Sequence, residues 1–165
     1  QAVKAMNFAP RGVRGACPNV RANQYSSGEW GGFVEASGRE NMLVVLLESA
    51  EAIENLDEIL AVDGIDCILL GPFDLSVSLG LAGQMNHPRV LAAFAEVVKK
   101  ASARGVEVGG LAVADDMESF RTYLDHGVRF FLLSFDKTIT VMLGRFLGQL
   151  TEEFEKRKAS ASVAR

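Results

Sequence analysis

The chain has 165 residues, 48% of them apolar and 23% charged, a globular balance that excludes a disordered chain and is enough for one domain or part of one. Lys and Arg number 17 against 21 Asp and Glu, so the net charge is −4. With no basic block, nucleic acid is excluded as the main partner. The longest apolar run, Met42 to Leu47, is far too short to cross a bilayer, and no membrane partner is expected.

In chain order, Gln1 to Asn7 reads as the end of a helix, so the chain is expected to be a piece of a longer protein. Phe8 to Glu40 holds RGVRG, CPN and SSGEWGG. Its Gly, Pro, Ser and Asn content predicts a long irregular loop, of the kind that serves function or contacts. Met42 to Leu47 is a continuous apolar run, as in a strand buried on both faces. Ser49 then caps a helix over AEAIENLDEIL, which Gly64 ends. Ile65 to Leu70 is a second strand, stopped by Gly71-Pro72. A looser stretch leads to a helix over Pro88 to Ala103, whose stripe is Val90, Leu91, Phe94, Val97 and Val98 and which Gly105 closes. Val106 to Val113 is a third strand, and Asp115 or Asp116 caps a helix through Leu124, ended by Gly127. Val128 to Ser134 is a fourth strand. A long last helix runs through Lys158; its apolar stripe, including Met142, Phe146, Leu150 and Phe154, is broad enough to bury against another subunit. The tail after it is small and polar and is expected to fray. Cys17 and Cys67 make neither a disulfide framework nor a metal-ligand spacing, so a reduced, cytoplasmic setting is expected.

This β-α alternation, four times over, predicts an α/β fold with parallel strands, either a doubly wound sheet or half of a (β/α)8 barrel. In both, chemistry sits at the carboxyl ends of the strands. That directs attention to Glu48, to Gly71 through Asp74, to Leu111 through Ala114 and to Ser134 through Asp136. Neighbouring parallel strands end about 5 Å apart. Glu48 and Asp74 could therefore converge on one hard divalent cation; equally, Glu48 could serve a helix start and Asp74 cap a turn. The GPFDLS turn could receive an anion on its free N–H groups or be a plain βα connection. His87 and His126 read as helix-terminus residues, and Cys67 as core. Arg14 and Arg21 could meet an anion, a neighbouring subunit or only solvent. RGVRG lacks the lysine and hydroxyl of a phosphate loop.

The run LLESAEAIENLDEILAVDGIDCILLGPFDLSVSLG, with GQMNHPRV after it and APRGVRG and RANQY before it, resembles the HpcH/HpaI-type class II pyruvate aldolases, of the hydroxy-heptanedioate and 2-dehydro-3-deoxy-glucarate aldolase kind. The resemblance implies a (β/α)8 TIM barrel, of which residues 1–158 are the carboxyl-terminal part of one domain. In that reading 1–40 is a helix end plus the irregular loop, 41–136 carries strands five to eight with their helices, 137–158 is the last helix and 159–165 the frayed tail. It implies a divalent cation (Mg2+, Mn2+ or Co2+) held by Glu48 and Asp74, and a 2-oxo acid whose carboxylate meets the amides of Phe73 and Asp74. It implies retro-aldol cleavage of a 4-hydroxy-2-oxo acid to pyruvate and an aldehyde, through a metal-stabilised enolate. Relatives carry a substrate-holding Gln where this chain has Leu46, and a small residue where it has Phe73, whose amide remains but whose ring alters the pocket. Leu111 stands where relatives face the incoming aldehyde. The family's general-base histidine and enolate-stabilising arginine belong to the first half of the barrel, so no catalytic residue is assigned in this chain. A homo-oligomer, a hexamer foremost, is expected. The alternatives are a non-catalytic half barrel that keeps only the metal site and oligomer contacts, and a related lyase acting on CoA esters.

Overall fold

The computed structural model describes residues 1–112 and 117–163. Its centre is a four-stranded parallel sheet of β1 (Val44–Leu47), β2 (Cys67–Leu70), β3 (Glu107–Ala112) and β4 (Phe130–Leu133). The strands lie in the order β1-β2-β3-β4, each beside its sequence neighbour. A doubly wound sheet reverses strand order part-way; this one advances in one direction, as a closing barrel does. Registers such as Leu46↔Leu69 and Leu111↔Leu132 bring the carboxyl ends to one side.

The helices cover one face of this sheet. They are α3 (Ala50–Glu54), α4 (Leu56–Leu60), α5 (Pro72–Ser78), α6 (Pro88–Ser102) and α7 (Met117–Asp125). The core joins Leu47, Ile68, Leu70 and Val108 from the sheet to Leu56, Leu60, Phe94, Val97 and Ala101 from the helices. The opposite face carries the alternate residues of each strand. There Leu46, Leu111 and Leu132 remain 51%, 40% and 47% exposed. In a closed barrel that face is the interior.

Several elements differ from the sequence-based expectation. The helix over AEAIENLDEIL is two, α3 and α4, because Asn55 (φ −92°, ψ 14°) leaves helical geometry between them. The looser stretch after β2 contains α5: Pro72 suits its first turn, and buried Ser76 donates its hydroxyl to the Phe73 carbonyl at 2.6 Å. The irregular region before residue 41 contains a helix, α2 (Trp30–Glu40). Gly31 and Gly32 read there as breakers, but they lie in the first turn and give their N–H groups to the Glu29 carboxylate. Those two bonds, Gly32 foremost, hold the Glu29 carboxyl below its usual range. Trp30 and Phe33 then pack on Phe8, with ring centroids 5.5 and 6.0 Å away. A short α1 (Ala2–Met6) precedes this region. The last helix, α8 (Phe135–Val163), starts earlier than expected and continues through part of the tail expected to fray. Ala and Ser are compatible with a helix, and the Ser160 hydroxyl bonds back to the Lys156 carbonyl at 3.0 Å. The cap assigned to Asp115 or Asp116 lies outside the described residues, as do Val113 and Ala114.

Candidate functional site

At the carboxyl ends of β1 and β2 the sequence makes two turns side by side. Glu48 is the first residue past β1, and Gly71 the first past β2. The Gly71 N–H donates to the Leu47 carbonyl at 3.0 Å, so the two strands stay paired to the point where the chain turns. Asp74 follows in the first turn of α5.

Gly71 is itself buried, and its lack of a side chain makes the room that Glu48 uses. A Cβ at residue 71 would lie 3.0 Å from the Glu48 Cβ and 3.2 Å from Glu48 Oε2. The Glu48 carboxylate is thus folded over the end of β2, toward the turn that carries Asp74. Both side chains are exposed. Neither carboxylate has a hydrogen-bond or ion-pair partner among the described residues. Glu48 is not the helix cap: the Ser49 hydroxyl accepts from the Ala52 N–H at 3.1 Å and performs that task. Asp74 caps no turn either. Two unengaged carboxylates on adjacent strand ends, with a glycine cradle between, fit a hard cation that takes its remaining oxygens from water and substrate. No group of three or more His, Cys, Asp or Glu that could hold a metal occurs among the described residues.

The other candidates fall around this pair. Leu46 lies on the uncovered face of the sheet, with its Cδ1 3.6 Å from where a Gly71 Cβ would be. Leu111 is on the same face, next to last in β3. Phe73 is 56% exposed, and its ring rests on Gly83, where an added Cβ would meet Cε2 at 2.9 Å. The ring therefore leans on the loop between α5 and α6, and the backbone of its turn remains beside Asp74.

The histidines are committed elsewhere. His87 Nδ1 accepts from the Arg89 N–H at 3.2 Å as the N-cap of α6. His126 Nδ1 lies 2.7 Å from the Thr122 carbonyl oxygen at the end of α7. His126 also lines a cavity of about 400 Å3 between α6 and α7, with Val90, Phe94 and Tyr123. That cavity also reaches Pro72, at the start of α5. Cys67 is fully buried, and burial, with Glu107 and Asp66 nearby, pushes its thiol up to about 11. It is core. The Arg14 guanidinium sits over the Phe8 ring, 4.6 Å from its centroid.

One residue at this site escaped the reading of the sequence. The Ser78 hydroxyl, on the last turn of α5, accepts from the Ala50 N–H at 2.9 Å. Ser78 stands in the GPFDLSVSLG segment that carries the resemblance, but its contact spans 28 positions of chain and becomes visible only in three dimensions.

The fold and sequence have known relatives. Residues 1–141 match the family described as HpcH/HpaI aldolase/citrate lyase. The chain is 35% identical over 136 residues to the 5-keto-4-deoxy-D-glucarate aldolase of Shigella boydii, covering 82% of this chain and 51% of that protein. It is 35% identical over 138 residues to the hydroxypyruvate/pyruvate aldolase of Sagittula stellata, covering 84% and 53%. A crystal structure of an HpcH/HpaI aldolase/citrate lyase family protein from Burkholderia cenocepacia superposes with a TM-score of 0.78 at 30% identity, over 91% of this chain and 58% of that one. The chain thus spans about half the length of the curated relatives it matches. Its four parallel βα units are half of a TIM barrel. With residues 1–141 matching the family's sequence pattern and the fold matching one of its members, the chain belongs to the HpcH/HpaI aldolase/citrate lyase family.

Proposed function

We propose that these residues are the metal-binding half of a divalent-cation-dependent aldolase that cleaves 4-hydroxy-2-oxo acids to pyruvate and an aldehyde. The observation that carries this reading is the pair of unengaged carboxylates, Glu48 and Asp74, beside the Gly71 cradle. Its support from likeness is the two aldolases above.

Glu48 and Asp74 would hold Mg2+, Mn2+ or Co2+. When bound, the cation would supply Lewis-acid stabilisation for negative charge at the substrate's 2-oxo group. The amides of Phe73 and Asp74 would orient the substrate carboxylate. Leu46 and Leu111, exposed on the inner face, would give apolar contact to the bound acid and to the departing aldehyde, and exclude water there. The proton of the 4-hydroxyl needs a base. With His87 and His126 occupied at helix ends, that base, and an arginine for the developing enolate, are assigned to the other half of the barrel.

The partners proposed are a small 2-oxo acid and an aldehyde, with a second copy of the chain against α8. Met142, Phe146 and Phe154 on that helix are all more than half exposed, a stripe too apolar for a permanently solvated face. A homo-oligomer, with a hexamer the leading expectation, would cover it. Among the described residues no helix is long and apolar enough to cross a membrane.

The test uses the full-length protein, stripped with chelator and resupplied separately with Mg2+, Mn2+ and Co2+. Pyruvate release is followed over a panel of 4-hydroxy-2-oxo acids. Glu48→Gln and Asp74→Asn are expected to lose tight metal binding and to lower release by orders of magnitude. Unchanged metal stoichiometry in both variants would overturn the assignment.

A further inference from the structure

The two candidate ligands belong to different βα units, so their spacing depends on whatever ties one unit to the other. β1 and β2 are paired up to Leu47 and Gly71, but both carboxylates lie beyond that pairing. Past it, the described hydrogen bonds contain one link from the Glu48 turn to α5: the Ala50 N–H donates to Ser78 Oγ at 2.9 Å. Ala50 is two residues from Glu48 and opens α3; Ser78 is one helical turn after Asp74 and closes α5. The first N–H groups of a helix have no partner within it. In α3 the Ser49 hydroxyl serves Ala52, and the Ser78 hydroxyl, brought in from the neighbouring unit, serves Ala50.

Ser76 ties α5 at both of its ends. The Ser76 hydroxyl donates to the Phe73 carbonyl at 2.6 Å, and the Ser76 carbonyl accepts from the Leu81 N–H at 2.8 Å. α5 is thereby a short rigid lever, with Asp74 at one end and the tie to the Glu48 turn at the other. We propose that Ser78 is a positioning residue for the Glu48–Asp74 pair, fixing the separation of the two carboxylates through its bond to the Ala50 amide. This rests on the metal reading of that pair and adds to it a residue that touches neither cation nor substrate.

Ser78 is exposed, so its removal leaves no cavity and the fold is retained. Outer partners of metal ligands cost 10–100-fold in affinity when removed. Because Ser78 acts through backbone, the expected loss is at the lower end, about tenfold.

The experiment measures Mn2+ binding to the full-length protein by the electron paramagnetic resonance signal of free Mn2+, with no turnover. The variants are Ser78→Ala, Ser78→Thr, Glu48→Gln and Asp74→Asn, each with the melting temperature of its metal-free form. The expected result is an affinity about tenfold weaker in Ser78→Ala at an unchanged metal-free melting temperature, with affinity restored in Ser78→Thr, which keeps the hydroxyl acceptor. Parent-like affinity in both carboxylate variants would bring down the metal reading, and this proposal with it. Loss in the carboxylate variants with parent-like affinity in Ser78→Ala would overturn the positioning role alone. So would an affinity loss that tracks a lowered melting temperature, or one that Ser78→Thr fails to restore.

Discussion

Replacing Gly71 with alanine puts a single methyl group into the cradle under Glu48. The Gly71 φ is −101°, so the substitution carries no left-handed strain. The conflict is one of space. The new Cβ would stand 3.0 Å from the Glu48 Cβ and 3.2 Å from Oε2, against about 3.5–4.0 Å for carbon atoms at ease. The Glu48 side chain must give by a few tenths of an ångström. The methyl presses mainly on the Glu48 Cβ, at the root of that side chain, so rotating the carboxylate alone does not relieve it. Exposed Glu48 can swing outward, which keeps the stability cost near the low end of overpacking, about 1 kcal/mol. Metal binding has no such escape. A ligand displaced in this way is expected to weaken Mn2+ binding by about tenfold. Calorimetric Mn2+ titration and thermal unfolding of the metal-free protein give the two quantities separately. Parent-like Mn2+ affinity in Gly71→Ala would refute the reasoning, because it would mean that Glu48 does not bind from the position over β2.

Three other outcomes follow from the same geometry. Leu111→Ala is expected to change discrimination among aldehydes by about 1–3 kcal/mol while leaving pyruvate enolisation intact; equal loss for every aldehyde, together with lost enolisation, would make Leu111 core only. The Asp57–Lys100 bridge (2.8 Å) lowers the Asp57 pKa, chiefly through that hydrogen bond, and raises that of Lys100. Its stabilising contribution is therefore present at neutral pH. It is lost on acidification through the lowered Asp57 pKa, and at high pH as Lys100 deprotonates. Melting curves of parent and Asp57→Asn across acid pH check this: the two should converge as pH falls. For the thiols, Cys67, fully buried and pushed up to about 11, should resist alkylation at pH 8 while exposed Cys17 reacts. Labelling of Cys67 in the native protein, read by peptide mass, would contradict its place in the core.

Periodicity alone located all four strands and the Pro88 helix, because each is a local run of apolar side chains that must face a core. It narrowed the chemistry to strand ends, where Glu48 and Asp74 stand, but left both metal binding and capping open there. The structure removes the capping alternative for Glu48: Ser49 caps α3, and Glu48 lies over Gly71 with its oxygens unengaged. Composition misread Trp30–Glu40 as loop. Gly31 and Gly32 weigh against a helix by propensity, and the compensation is tertiary, through Phe8 beneath Trp30 and Phe33.

The sequence by itself determined the α/β alternation, the parallel strands and the two carboxylates at their ends, since hydrophobic period and turn residues act over a few positions. Whether the sheet winds singly or doubly was settled by the order β1-β2-β3-β4, with helices on one face. That Leu46 and Leu111 share the uncovered face was settled by register. The tie from Ser78 to Ala50 joins groups 28 residues apart. Such contacts arise when units pack and leave no local trace, because a hydroxyl in a helix has the same intrinsic preference whether it faces water or a neighbour's unpaired amide.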